Sequence, residues 1–219
     1  MSIAELKERE REQRRAYIID AAERLFFARG YDNVSMNDIA GALEMNKATL
    51  YLYFKNKDSL YFAVLVRGLC LMRDAFAEAV KGKRTGLDRL LATCEAFFKY
   101  CREHPEYYRE LCHARTRSFC MGEVDCAAEQ MALADEVVGG ICGHIRQGIE
   151  DGTVRKGIDP RETAVFVMTA CEKMVRPGVD MEWVLSRQNI SREQYIGHSM
   201  GLLLFAISES KAKRKAGKC

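Results

Sequence analysis

Proline is scarce in this chain, and long apolar runs are absent. Only 3 of the 219 residues are proline, which excludes long proline-rich segments. The longest apolar stretch, 201–207 with its flanks, is far shorter than the roughly eighteen residues that cross a bilayer, so we expect no membrane segment. No stretch alternates apolar and polar residues with a period of two for long enough to form a strand. These absences favour an all-α globular protein.

The start of the sequence also lacks an apolar leader. A charged run extends from Glu5 to Arg15, which is unlike a secretory signal. We therefore interpret the 9 cysteines as reduced thiols and expect a cytoplasmic location. The formal net charge is only +3, so attraction to nucleic acid has to come from local clusters of Lys and Arg.

Sequence signatures of enzymes are missing as well. The chain has no glycine-rich phosphate loop, no G-x-S-x-G turn and no histidine pair of a zinc protease. Glu110 and His113 form one Glu-x-x-His motif, but a di-iron bundle needs two such motifs and further glutamates. We therefore expect that the chain is not an enzyme and uses no cofactor or metal.

Helical periodicity and capping residues predict four helices at the start of the chain. Gly30 ends the first helix, and Ser35 with Asp38 three residues later forms a capping box for a second, short helix that stops near Glu44. Asn46 is the predicted N-cap of a third helix. The third and fourth helices are predicted to span 47–54 and 57–80.

The segment from Met45 to Lys57, which includes the third helix, carries basic, amide and hydroxyl side chains without any acid. Leu50 and Phe54 lie one turn apart, so they can anchor the helix in a core while its other faces stay exposed. Two short helices joined by a tight turn can present one helix to a major groove about 12 Å wide. We therefore predict a helix-turn-helix that binds double-stranded DNA. The candidate DNA-contacting residues are Ser35, Asn37, Asn46, Lys47, Ala48, Thr49, Tyr51, Leu52, Tyr53, Lys55 and Lys57.

Residues 14–62 resemble the N-terminal domain of the TetR family of bacterial repressors. The resemblance rests on residue types at fixed spacing, namely Ala21-Ala22, Leu25-Phe26, Gly30-Tyr31, Ser35, Ile39-Ala40, 47–54, Lys57 and Leu60. It implies an all-α homodimer that binds operator DNA and carries a variable C-terminal domain. That domain usually binds a small molecule and dimerises through its last two long helices. The family's DNA-contacting positions correspond to Lys47, Thr49, Tyr53 and Lys57, with Ser35 at the start of the second helix.

One position departs from the family pattern. The family usually has glycine where this chain has Glu44, in the turn between the two short helices. A positive φ costs a residue with a Cβ atom on the order of 1 kcal/mol. We therefore expect either a strained Glu44 or a different turn.

The remainder of the chain is predicted to be helical. Chain breaks are expected at 82–86, 104–105, near Gly122 and at 152–160. Asp159 before Pro160, and Ser191 with Gln194, predict the starts of two later helices, the last ending near residue 208. We expect a helix-turn-helix domain at 1–60, a helical domain for ligand binding and dimerisation at 61–210, and a basic tail at 211–219.

The second domain is rich in aromatic and Met side chains, which favour an adaptable apolar pocket but also fill ordinary helical cores. We predict a small hydrophobic or aromatic effector that releases the regulator, a repressor in our interpretation, from a near-palindromic operator. The candidate pocket residues are Phe97, Phe98, Tyr100, Tyr107, Tyr108, Phe119, Met131, Phe166 and Met174. The candidate dimer interface combines small and apolar residues: Phe166, Ala170, Gly197, Met200, Gly201 and Leu204.

Alternative interpretations stay open. The same fold could sense thiol oxidation or a metal through its densest cluster of Cys and His residues. The cluster contains no C-x-x-C pair. Its members are Cys112, His113, Cys120 and Cys126. A helical protein adaptor would explain the amphipathic helices but not the acid-free basic patch. The segment 8–15 mixes Arg and Glu, so it can be a solvated helix face or an arm that binds the operator.

Overall fold

The structure is a computed structural model that describes residues 2–116 and 127–209. Within these ranges the chain forms ten helices and no β-strand, apart from one isolated antiparallel bridge between Val154 and Ser208. This confirms the all-α prediction. The helices are α1 (Ile3–Arg29), α2 (Met36–Ala42), α3 (Lys47–Tyr51), α4 (Lys57–Ala79), α5 (Gly86–Glu103), α6 (Pro105–Arg115), α7 (Ala127–Glu150), α8 (Pro160–Val175), α9 (Val179–Arg187) and α10 (Arg192–Ile207).

Local capping sets most helix boundaries where the sequence predicts them. Gly30 follows α1 with a φ of 75°, and the Ser35 hydroxyl accepts a hydrogen bond from the amide of Asp38 at the start of α2. The Asp159 carboxylate caps α8, which begins at a proline. Ser191 and Gln194 form the predicted capping box of α10. These side chains satisfy amide groups that the helix itself leaves without partners.

The third helix is shorter than predicted, ending at Tyr51 instead of Phe54. The side chain of Asn56 accepts a hydrogen bond from the Ser59 amide at 2.7 Å and so caps the next helix. A capping residue has non-helical backbone, so the chain must leave the helix before it. Phe54 is nevertheless buried, as its spacing from Leu50 predicted.

The described residues form two compact units. The first contains 2–71, 104–116 and 127–134, and the second contains 72–103 and 135–209. In the first unit, α1 and α6 are joined by a hydrogen bond from the Arg109 guanidinium to the Phe27 carbonyl at 3.0 Å. The Tyr61 hydroxyl donates to the buried Glu110 carboxylate at 3.0 Å. The boundary at residue 60 and the tail at 211–219 stay predictions, and the tail lies outside the described residues.

The second unit has its own apolar core. Helix α8 packs against both α5 and α10, and side chains from these helices and from α7 are buried together. A break that the sequence analysis did not predict separates α8 from α9 at Pro177 and Gly178, where Gly178 has a φ of 88°. No helix among the described residues has both the length and the apolarity that crossing a bilayer requires.

Candidate nucleic-acid interface

Glu44 lies in the turn between α2 and α3, where the sequence predicts either a strained residue or a different turn. Glu44 has a φ of 49°, in the left-handed region. The turn is closed by a hydrogen bond from the Met45 amide to the Ala40 carbonyl at 2.9 Å. The expectation of a strained Glu44 is therefore confirmed.

Helix α3 is short, and side chains fix its two ends. The Asn46 side chain accepts a hydrogen bond from the Ala48 amide at 2.9 Å, as predicted for the N-cap. Leu50 is 0% exposed and Phe54 is 2% exposed, so one side of the segment is held in the core of the first unit. The Arg15 guanidinium lies 5.1 Å from the centre of the Phe54 ring and covers this anchor from α1.

The predicted DNA-contacting residues all lie at the surface. Three of them are partly buried, namely Thr49, Tyr53 and Lys57. The others are exposed: Ser35, Asn37, Asn46, Lys47, Ala48, Tyr51, Leu52 and Lys55. One shallow surface depression brings together residues from α2, α3 and the start of α4; the predicted ones among them are Ser35, Asn37, Lys47, Tyr51 and Lys57.

Two lysines border this depression in different environments. The Lys47 ammonium lies 5.9 Å from the centre of the Tyr51 ring, and Lys47 itself is exposed. The Lys57 ammonium donates to the Tyr31 carbonyl at 3.0 Å and sits 3.9 Å above the Tyr31 ring. Lys57 is thus held in place at the start of α4, whereas Lys47 is free to adjust to a partner.

Two acids, Asp32 and Asp38, also line this depression, and Asp38 is engaged in capping α2. Hydrogen bonds from the Ser35 side chain and backbone, together with the charge of Arg29, lower the pKa of Asp38. Its carboxylate therefore stays ionised and bound to the start of α2. The depression can offer amide, hydroxyl and ammonium donors to phosphate oxygens or base edges.

A second group of residues lies near α3 and includes part of the segment 8–15, which the sequence left open as a solvated helix face or an arm that binds the operator. Tyr53 shares a surface groove with residues of the N-terminal half of α1, which are Lys7, Glu10, Arg11, Gln13, Arg14 and Tyr17. The sequence does contain the relevant signal, because Lys7, Arg11 and Arg14 recur at spacings of four and three. Intervening glutamates obscure this signal in the linear sequence.

The second unit contains a cleft of about 210 Å³ between the end of α4, α5 and α7. Most of its lining is apolar, with charged or polar groups at Arg73, Glu136, His144 and Thr93. The apolar lining residues are Phe76, Ala77, Val80, Val137, Gly140 and Ile141. None of these was among the candidate pocket residues, which are aromatic and Met side chains from Phe97 to Met174. Phe76 precedes that range, and Val and Ile were not selected by type.

The candidate pocket residues are distributed over both units. Phe97, Phe98, Tyr100, Phe166 and Met174 belong to the second unit, and Tyr107, Tyr108 and Met131 belong to the first. Tyr100 and Met174 are buried, whereas Phe166 is 59% exposed and Met131 is 61% exposed. Phe119 lies outside the described residues. Their role in effector binding stays a prediction.

The candidate dimer residues fall into two groups. Phe166, Gly197 and Gly201 are exposed, whereas Met200 is buried in the core of its own unit. Ala170 and Leu204 are partly buried and pack against that core. The interface also stays a prediction.

The residues behind the alternative chemistries are largely accounted for otherwise. Glu110 is buried and engaged by Tyr61 and Arg109, and the part of the chain that the structure describes has no group of three metal-ligating side chains. Cys112 is partly exposed. Cys120 and Cys126 lie outside the described residues, so the proposed thiol cluster stays a prediction.

Comparison with known proteins supports the assignment of the N-terminal helices. Residues 18–64 match the sequence model of bacterial regulatory proteins, tetR family. The chain is 33% identical over 99 residues to the HTH-type transcriptional activator FasR of Mycolicibacterium smegmatis, a match that covers 45% of each protein. It is 22% identical over 172 residues to the fatty acid metabolism regulator protein of Bacillus subtilis, covering 78% of this chain and 84% of that protein.

Solved structures have a fold similar to that of this chain over most of its length. The crystal structure of AibR in complex with isovaleryl coenzyme A and operator DNA aligns with a TM-score of 0.61 and 22% sequence identity. The alignment covers 87% of this chain and 96% of AibR. At this identity the comparison establishes the fold.

The fold and the exposed α3 define a helical protein with an N-terminal helix-turn-helix. Residues 18–64 carry the helix-turn-helix of the tetR family of bacterial regulatory proteins, and the relatives that match the chain are transcriptional regulators. The similar proteins described above are regulators and not enzymes, in agreement with the expectation drawn from the sequence.

Proposed function

We propose that this protein is a ligand-responsive repressor that binds a near-palindromic DNA operator as a homodimer. The observation that carries the proposal is the arrangement of α3, whose Leu50 and Phe54 are buried while Lys47 and Tyr51 are exposed. A rigidly anchored short helix with exposed donors fits a major groove. Two copies on a twofold axis would contact successive grooves about 34 Å apart, hence the near-palindrome.

An exposed apolar surface on α8 and α10 supports the homodimer. Val165 and Phe166 on α8 are 57% and 59% exposed, and Leu202 and Phe205 on α10 are 58% and 83% exposed. Burial of these large apolar side chains against a second copy would stabilise a dimer. The opposite sides of the same two helices form the core of the second unit, so their exposed sides are left for a partner.

The cleft in the second unit supports a small effector with an apolar part. Its volume of about 210 Å³ is below that of a site for a drug-sized ligand, about 300–1,000 Å³. AibR has been crystallised with isovaleryl coenzyme A, and the Bacillus relative is a regulator of fatty acid metabolism. We propose that a short acyl group, such as that of an acyl-coenzyme A thioester, enters this cleft.

Helix α4 supplies a physical route from effector to DNA-binding surface. It begins at Lys57, beside the depression described above, and its last turns contribute Phe76 and Ala77 to the cleft. An effector that prefers one position of this helix shifts operator affinity about tenfold for each 1.4 kcal/mol of differential binding. The thiol or metal sensor is the less favoured alternative, since the relatives described above suggest acyl chemistry.

The DNA-binding proposal is tested by selecting bound duplexes from a random pool with the full chain. Mobility shifts with the selected duplex then compare the wild type with Lys47→Ala and Tyr53→Ala. Both variants should lose at least about 1 kcal/mol of binding free energy. Lys99→Ala is the matched control, because Lys99 is exposed on α5 in the second unit. Lys47 lies on α3 and Tyr53 just after it, and we call these two the α3 variants. Wild-type affinity in both would show that another surface binds DNA.

The effector proposal is tested on the complex with the selected duplex. Isovaleryl coenzyme A, longer acyl-coenzyme A thioesters and free coenzyme A are titrated in, and release of DNA is measured. Val137→Phe, which fills the cleft, should abolish the response while keeping DNA affinity. Release by free coenzyme A alone, or an unchanged response in the variant, would contradict a site for the acyl group in this cleft.

A further inference from the structure

The first helix extends well beyond the core that it helps to build. Helix α1 begins at Ile3, but its first buried residue is Ile18, and every described residue before it is exposed. At 1.5 Å per residue, the fifteen residues from 3 to 17 project about 22 Å. We call residues 3–17 the arm. A Ser2–Glu5 capping box closes its free end, so the arm begins as an ordered helix.

Charges on the arm are segregated by face. At about 100° per residue, Lys7, Arg11 and Arg14 fall within about 40° of the direction of Ile18. Ile18 is 0% exposed, so this basic face continues the face that is buried in the first unit. Most of the glutamates of the arm lie on other sides of the helix, namely Glu5, Glu8 and Glu12. The mixed charge of the linear sequence thus becomes a basic stripe in the folded helix.

The stripe lies beside the segment that carries the candidate DNA contacts. Lys7, Arg11 and Arg14 line the same groove as Tyr53, with one acid, Glu10, also in the lining. The groove holds three cationic side chains, and none of these three is in an ion pair within residues 2–116 and 127–209. A face with uncompensated cations next to a DNA-reading helix fits a polyanion.

We propose that the arm binds the phosphate backbone of DNA next to the groove entered by α3. This inference rests on the proposed function, because α3 must bring the arm to the duplex. Contacts from Lys and Arg side chains to phosphates neutralise charge but carry no sequence information. The arm therefore adds affinity for any duplex and leaves sequence preference to α3.

The test uses the triple variant Lys7→Gln, Arg11→Gln and Arg14→Gln in the full chain. Two probes are compared: the duplex selected from the random pool and a shuffled duplex of the same length. Affinities are measured between about 50 and 200 mM salt, and log affinity is plotted against log salt concentration. Because each phosphate contact releases counterions, it contributes about 0.9 to the slope of this plot. The variant should show a slope smaller by about 2 to 3 per subunit, and a similar fold-loss of affinity for both probes, on the order of tenfold or more.

Arg9→Gln is the matched control, since Arg9 is an exposed arginine on the side of the arm opposite to Ile18. It should keep the wild-type slope, and circular dichroism should show equal helix content in all variants. A wild-type slope in the triple variant, an equal loss in Arg9→Gln, or a changed oligomeric mass with unchanged DNA affinity would overturn the inference. Loss of binding in the α3 variants together with any of these results would leave the proposed function intact. Full binding by the α3 variants would refute the proposed function itself.

Discussion

Gly86 and Gly148 approach each other so closely that neither α5 nor α7 could come nearer. A Cβ atom on Gly86 would overlap the amide nitrogen of Gly148 and the carbonyl oxygen of His144. The amide of Gly86 also donates to the Asp151 carboxylate at 2.7 Å, just after α7. Since the same two helices contribute walls to the cleft, this contact fixes the spacing of those walls.

Gly86→Ala should therefore destabilise the protein. The atoms that the new methyl group meets are backbone atoms, which cannot rotate away, so we expect a loss of about 1–3 kcal/mol in the free energy of unfolding. Urea denaturation measures it. Gly143→Ala is the control, because a Cβ there has no neighbour within 4 Å; it should be neutral or stabilise α7 by about 0.5–1 kcal/mol. Equal stability of the two variants would mean that α5 and α7 are not in the contact described.

Glu44→Gly should stabilise the helix-turn-helix. Glu44 has a φ of 49°, and glycine removes the strain that a Cβ atom causes there, worth about 1 kcal/mol. Glu44→Ala removes the same charge but keeps the Cβ, so the difference between the two variants isolates the backbone effect. Thermal unfolding should give a higher midpoint for Gly than for Ala. Identical midpoints would show that the turn adopts another conformation.

Helix starts and the type of fold could be predicted from the sequence because both depend on neighbouring residues. Ser35 with Asp38 and Ser191 with Gln194 bond only across one turn, so their spacing determines the result. The end of α3 was predicted wrongly because it depends on packing against distant residues and not on neighbouring ones. Phe54 has helical spacing from Leu50, but its burial is achieved after the helix has ended. Tertiary packing there overrides the periodic pattern.

The candidate sites also differ in whether the sequence alone could predict them. The surface of α3 was predictable because an acid-free run beside two anchors is a local feature. The cleft was not, since its lining depends on which sides of α4, α5 and α7 meet, and its members Val80, Val137 and Ile141 have no distinctive spacing. The arm lies between these cases: its basic stripe is periodic, but only the structure shows that Tyr53 borders it.

His144 should make the stability of the protein depend on pH. Burial, and then the positive charge of Arg89, lower the pKa of His144 below its usual value. On acidification the unfolded chain therefore takes up its proton first, near pH 6.5, and the native state loses stability until the folded pKa is reached. His144→Gln should lose less stability than the wild type between about pH 7 and 5. Arg89→Gln should give an intermediate loss, because burial remains. A wild-type pH dependence in His144→Gln would show that other groups cause it.

If the proposed homodimer forms, Phe205→Glu and Phe166→Glu should each convert it into monomers. Both side chains are more than half exposed on the outer faces of α10 and α8, so a buried charge would be introduced only if a second copy covers them. Sedimentation equilibrium should show half the wild-type mass, with steep loss of affinity for the selected duplex, because a single subunit contacts one half-site. Ile3→Glu adds the same charge at an apolar residue that is 77% exposed on the arm and should keep the wild-type mass. A wild-type protein that is already monomeric would contradict the proposed interface, as would unchanged mass in both variants.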